Sequence, residues 1–97
     1  MTIDIYNSTY YSLTVTSASP VYSVALPSGW YEVFAKNSDI YVKSIKSGDA
    51  EGNFTQHHPL WAGNSEIFYV HEQGKLGFVC KVGELNTTVE FIQVRIP

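Results

Sequence analysis

The residues able to do chemistry in this chain are few. Its 97 residues include three histidines, one cysteine and nine acids. His57 and His58 are adjacent, and His71 lies near the end of an apolar run. A zinc site needs three or four nitrogen, sulfur or oxygen ligands in tetrahedral geometry. Neighbouring residues in extended backbone point to opposite sides, so His57 and His58 are poorly placed to share an ion. His71, Glu72 and Cys80 would meet only if the fold happened to gather them. Cys80 stands in the apolar run Gly77-Phe78-Val79-Cys80, with no nearby base to make it a thiolate. It reads as a small buried hydrophobe. The chain has no Gly-x-Ser-x-Gly elbow, no Gly-x-x-x-x-Gly-Lys loop and no Gly-x-Gly-x-x-Gly fingerprint. Its acids are scattered, whereas glycosidase chemistry needs two positioned carboxylates. The expectation is a non-enzymatic protein with no catalytic residue, no metal and no cofactor.

One segment offers more for binding. Residues 47–64 form a long connection that includes Gln56, His57, His58, Pro59, Leu60 and Trp61. Loops of this length inside small domains are often functional. Trp61 could stack on a sugar ring while Gln56, His57 and His58 hydrogen-bond its hydroxyls. These four are the candidate ligand-loop residues. The preferred reading is the plainer one: Leu60 and Trp61 tuck under the fold as a plug, and Pro59-Leu60-x-x-Gly63 turns the chain into the next element.

Short runs rich in Val, Ile, Thr, Tyr and Phe recur along the chain, each bounded by Asn, Ser, Gly, Pro or Asp. They predict strands at 2–6, 10–16, 21–26, 30–36, 40–46, 65–72, 76–82 and 87–96. A further short strand near Phe54-Thr55 is the one candidate inside the long connection. No window joins a helical apolar stripe to good helix formers. Eight strands at about ten-residue spacing predict a single all-β domain over residues 1–97, an antiparallel β-sandwich or jelly-roll-like fold.

A half-buried strand alternates apolar and polar residues. Several of these runs do not. Tyr31, Val33 and Ala35 make one face of the fourth, yet the other face carries Trp30 and Phe34 around Glu32. Ile67 and Tyr69 oppose Phe68 and Val70, and Val89 and Phe91 oppose Ile92, Val94 and Ile96. A sandwich has one interior, so the second faces need another cover. Subunit contact is the favoured explanation, because such interfaces are rich in aromatics and poor in Lys and Asp. The interface candidates are Trp30, Phe34 and Trp61, followed by Tyr10 and Tyr11. The alternative is a monomer whose own loops and ends cover these faces.

Composition bounds the partners. Aromatics make up 14% and charged residues 15%, against about 25% charged in ordinary globular chains. A net charge of −3 argues against a nucleic-acid surface, which needs a basic excess. No apolar run reaches the ~18 residues of a membrane helix, so no membrane partner is expected. Met1 to Tyr6 carries neither a basic nor an apolar signal region, so no secretory signal is expected.

The order Leu26-Pro27-Ser28-Gly29-Trp30-Tyr31-Glu32-Val33, Asp39-Ile40-Tyr41-Val42, Pro59-Leu60-Trp61-Ala62-Gly63-Asn64 and Phe68 to Val70 resembles small all-β virion proteins of tailed bacteriophages. Those proteins decorate heads or act as tail accessory or knob proteins. The resemblance runs over about residues 21–96 and rests on turn motifs, which Pro and Gly supply in many β folds. It implies a structural protein with no catalytic residue, a homo-oligomer that docks on other virion proteins. It also implies a location in the virion, preceded by the host cytoplasm before assembly. A carbohydrate- or receptor-binding β-sandwich module is the competing function.

Overall fold

A computed structural model describes residues 4–50 and 58–95, with backbone alone for 4–9. Eight strands form in chain order: β1 (Asp4–Val15), β2 (Val21–Tyr22), β3 (Gly29–Ala35), β4 (Ile40–Ile45), β5 (His58–Leu60), β6 (Ser65–Val70), β7 (Lys75–Cys80) and β8 (Thr87–Arg95). They make two four-stranded sheets, β1-β8-β3-β6 and β2-β7-β4-β5, with every pairing antiparallel.

The pairing is nested. β1 meets β8, β2 meets β7, β3 meets β6 and β4 meets β5. The chain is thus one long hairpin of four strand pairs. It is rolled so that β8 also pairs with β3, and β7 with β4. This strand order is that of a jelly roll, two Greek keys wrapped into two sheets.

The core lies between the sheets. From the first come Val15, Tyr31, Val33, Ala35, Val70, Val89 and Phe91; from the second come Ile40, Val42, Leu60, Leu76, Phe78 and Cys80. Leu26, in the β2–β3 connection, joins them. Phe91 is the hub: Tyr11 stacks on it at 4.8 Å, and Phe78 reaches it from the opposite sheet at 5.6 Å. Aromatic pairs at such distances add to the burial of their area.

Three expectations about elements need correction. The described part of the run at 2–6 and the run at 10–16 belong to one strand, β1, which pairs with β8 on both sides of Asn7-Ser8. The turn residues there produce a bulge instead: five steps along β1, from Ile5 to Tyr10, match two along β8, from Val94 to Ile92. The run at 21–26 pairs only at Val21–Tyr22 and at the single bridge Leu26↔Gly74. The long connection contains β5, which carries Pro59. Proline is tolerated there because β5 is the edge of its sheet. The strand expected near Phe54-Thr55 lies outside the described residues.

Candidate functional site

The outward face of the β1-β8-β3-β6 sheet holds the densest set of partly bare aromatics. Cross-strand registers arrange it in rows. The first row runs Tyr69, Trp30, Val94; the second Ile67, Glu32, Ile92, Tyr10; the third Ser65, Phe34, Glu90, Ser12. Trp30 is 42% exposed, Tyr69 41% and Tyr10 55%. Trp30 and Tyr69 meet edge to face at 5.1 Å, and the His71 ring extends the row at 5.0 Å from Tyr69. Val94 is nearly fully buried although it points away from the core.

Two turns position these side chains. Leu26-Pro27-Ser28-Gly29 delivers the chain into β3 one residue before Trp30. Tyr31 Oη donates to the Pro27 carbonyl at 2.7 Å, and Gln93 Nε2 donates to that of Ser28 at 3.2 Å. Gly29 has φ +146°, a conformation that favours glycine, and a Cβ there would lie 2.5 Å from Gln93 Nε2. The second turn, 61–64, leads into β6. Gly63, at φ +83°, donates its N–H to the Ala35 carbonyl at 2.7 Å, and Ala35 N–H donates to Asn64. This locks the start of β6 beside the end of β3.

The charges on this face are partnered within the chain. Ser65 Oγ donates to Glu32 at 3.0 Å. Lys36 Nζ lies 2.8 Å from Glu90. Hydrogen bonds from Lys36 and then Tyr10 hold the Glu90 carboxyl below the usual carboxylate range. The same bond to Glu90 raises the Tyr10 phenol, helped by desolvation and the carboxylate charge.

The candidate residues divide. Trp30, Phe34 and Tyr10 share this outward face. Tyr11 does not: it points inward and packs on Phe91, because adjacent strand residues face opposite ways. It is partly buried against the core and does not share the outward face with the other candidates. Trp61 lies off the opposite sheet. The plug reading holds for Leu60, which is 3% exposed, and fails for Trp61, which is 50% exposed. Alternation along β5 puts Leu60 inside and its successor outside. Lys81 Nζ stands 4.9 Å over the Trp61 ring. Gln56 and His57 lie outside the described residues. His58 points inward at the sandwich edge, where it meets the Glu66 carboxylate and the Phe68 ring at 5.4 Å. It clasps β5 to β6 across the two sheets and does not sit with Trp61.

Little else in the described residues suits chemistry. A polar cavity of about 260 Å³ is lined by residues 45–49 with Gln73 and Lys75, and its lining has no histidine or cysteine. Among the described residues no group of three or more His, Cys, Asp or Glu could hold a metal. The Cys80 thiol is buried and is raised above its ordinary range by that burial. The sequence missed the His58–Glu66 clasp and the exposed apolar Val82 and Leu85 of the β7–β8 turn. Period-2 alternation from Leu60 back to His58 was the available signal for the clasp. Comparison with protein-family models, with curated proteins and with solved structures finds no match for this chain.

Proposed function

We propose that this chain is a non-enzymatic structural protein that assembles through the outward face of its β1-β8-β3-β6 sheet. One observation carries the reading: Tyr69, Trp30, Phe34 and Tyr10 spread across a face whose two carboxylates are already partnered. Aromatic-rich, lysine-poor surfaces of this kind are typical of interface cores, and large bare apolar patches are uncommon on monomers. The resemblance to small virion proteins of tailed phages gives the setting. In that setting the chain self-associates, docks on capsid or tail proteins, and waits in the host cytoplasm until assembly. Both turns that carry the resemblance lead into strands of this face, 26–29 into β3 and 59–63 toward β6.

Light scattering on a size-exclusion column tests the reading. The wild type is expected at a multiple of 10.9 kDa. Phe34→Asp is expected at the monomer mass with an unchanged far-ultraviolet circular dichroism spectrum. A wild type that stays monomeric at high concentration would overturn self-association. Loss of the β spectrum together with assembly would make Phe34 a folding residue instead.

The half-exposed Trp61 supports a second reading, a carbohydrate-binding module. A sugar would displace Lys81 from its ring or stack on the opposite side. In a Trp30→Phe background Trp61 is the one remaining tryptophan of two. A sugar-dependent change in its emission would favour this reading.

A further inference from the structure

Four strands lie at sheet edges, and three of them are protected. β2 has only two residues. β5 carries Pro59, which has no N–H to offer. On β6 the Tyr69 carbonyl already accepts the Ser44 hydroxyl at 2.7 Å, and the His58–Glu66 clasp ties that edge to β5. β1 differs. Its stretch Tyr10–Val15 has no proline and no charged residue, two devices by which natural edges avoid pairing. The β1 bulge lies before Tyr10 and leaves this stretch regular. The ladder fixes which backbone groups of the stretch face outward. Ala35 N–H donates to Asn64, so the odd residues of β3 face β6 and the even ones face β8. Alternation then turns Val89 and Phe91 of β8 toward Leu13 and Tyr11 of β1. The N–H and C=O groups of Tyr10, Ser12 and Thr14 point out of the sheet edge. None of these groups meets a partner among the described residues.

We propose that this edge pairs with the β1 edge of a second copy, antiparallel and about a two-fold axis at Ser12. The outward groups dictate the register. Ser12 exchanges both hydrogen bonds with Ser12 of the second copy, and Tyr10 does so with Thr14 of the second copy, and the reverse. These pairs make about six interchain bonds, and no charges are opposed. On the inner side, Tyr11 of each copy comes opposite Leu13 of the other. Both residues face inward yet are only partly buried, so the pairing covers apolar surface that a single copy leaves bare.

Area supports a second copy as the occupant, a step that rests on the face assembly proposed above. Four strands about 4.8 Å apart and about seven residues long give an outward face of roughly 450 Å². Two such faces fall short of the about 1,200–2,000 Å² of specific interfaces. Edge pairing joins two four-stranded sheets into one continuous sheet, so the docked faces double to roughly 1,800 Å² in total. The edge contact is a single strand pair and is small. Edge and face therefore support one another, and neither alone holds a dimer on a dilute column.

Ser12→Cys tests the register directly. Across the two-fold axis the Ser12 Cα atoms lie about 5.5 Å apart, within the about 4.4–6.8 Å that a disulfide spans. Thr14 is the control, because in this register its two copies lie about 14 Å apart. Cys80 is buried and does not compete. With diamide as oxidant, Ser12→Cys should run as a covalent dimer on a non-reducing gel and Thr14→Cys as a monomer. Equal cross-linking of the two, or none at Ser12→Cys in protein that self-associates, would overturn the edge pairing and leave the face reading standing. Ser12→Pro removes the central N–H, which the ladder to β8 does not use, and should weaken self-association about tenfold or more. Unchanged assembly of Ser12→Pro with a native circular dichroism spectrum would also overturn the pairing. If Ser12→Pro fails to fold, the cross-linking pair decides. Cross-linking of Ser12→Cys that added Phe34→Asp leaves untouched would keep the edge and overturn the face reading. A wild type that stays monomeric, with no cross-link at Ser12→Cys, would overturn both.

Discussion

Tyr31 gives the fold an alkaline limit that can be worked out in advance. Its side chain is fully buried in the core, and its hydroxyl donates to the Pro27 carbonyl. Burial pushes the phenol up to about 12 from 10.0, with the charges of Tyr11 and Glu72 adding to the effect. The native state therefore holds this proton at pH values where the unfolded chain has released it. Stability from the neutral phenol is full below pH 10 and falls as the pH rises toward 12. Two pKa units correspond to about 2.7 kcal/mol, with roughly half of it lost by pH 11. Tyr31→Phe removes the titration but leaves Pro27 without its donor, which costs about 1–2 kcal/mol at neutral pH. The two proteins should thus differ by that amount at pH 8.5 and converge near pH 11. Urea unfolding followed by circular dichroism across this range measures both curves. Every other tyrosine and lysine titrates in both proteins, so the difference isolates Tyr31. Parallel curves up to pH 11 would refute the argument and show that the phenolate is solvated in the native state.

The core, the β3 turn and the thiol each allow a further check. Phe91→Ala removes the ring that Tyr11, Tyr31 and Phe78 all contact, and should cost about 3–5 kcal/mol in urea unfolding. Gly29→Ala sets a Cβ against Gln93 in a backbone conformation that L residues avoid, and should cost about 1–3 kcal/mol. Adding Gln93→Ala should recover part of that loss, since the clash is with its side chain. Cys80 should resist a thiol reagent in the native protein and react at the rate of global unfolding, because its sulfur is buried with the carbonyls of Val15 and Leu85 both within reach of its single S–H.

Much of the architecture was legible in the sequence because strand alternation is a local signal. The opposed faces of β3, β6 and β8 could be read from Trp30 to Ala35, Ile67 to Val70 and Val89 to Val94, and the registers place them so. What the sequence withheld is non-local. Asn7-Ser8 carries turn chemistry, but the ladder with β8 overrides it and converts a break into a bulge. Tyr10 and Tyr11 are identical neighbours, and only the register against Phe91 and Ile92 decides which enters the core. Pro59 disguised β5, whose position at a sheet edge is set by β4 rather than by its own residues. For the candidate face, the aromatics could be named from the chain alone. Their assembly into one surface required the β8–β3 pairing, which joins residues some sixty positions apart.

Charge is sparse on the sheets of this protein, as it is along the whole chain. Of its fifteen charged residues, those within strands are Asp4, Glu32, Lys43, Glu66, Lys75, Glu90 and Arg95. An isolated two-layer sandwich needs polar residues on both outer layers, because each strand can bury one face only. Here the outer layer of the β1-β8-β3-β6 sheet is held by aromatic and β-branched residues around two glutamates. Those glutamates are engaged by Ser65, Lys36 and Tyr10 before any partner arrives. Burying an unpartnered carboxylate would oppose association, whereas a carboxylate with its hydrogen bonds in place can be covered at much smaller cost. The same prior pairing gives a monomer little, since exposed ion pairs contribute about 0–1 kcal/mol. Its larger effect would arise in the proposed assembly, where the face is covered. The arrangement of charge and the excess of aromatic surface therefore both support the proposal that this sheet face is covered by a partner.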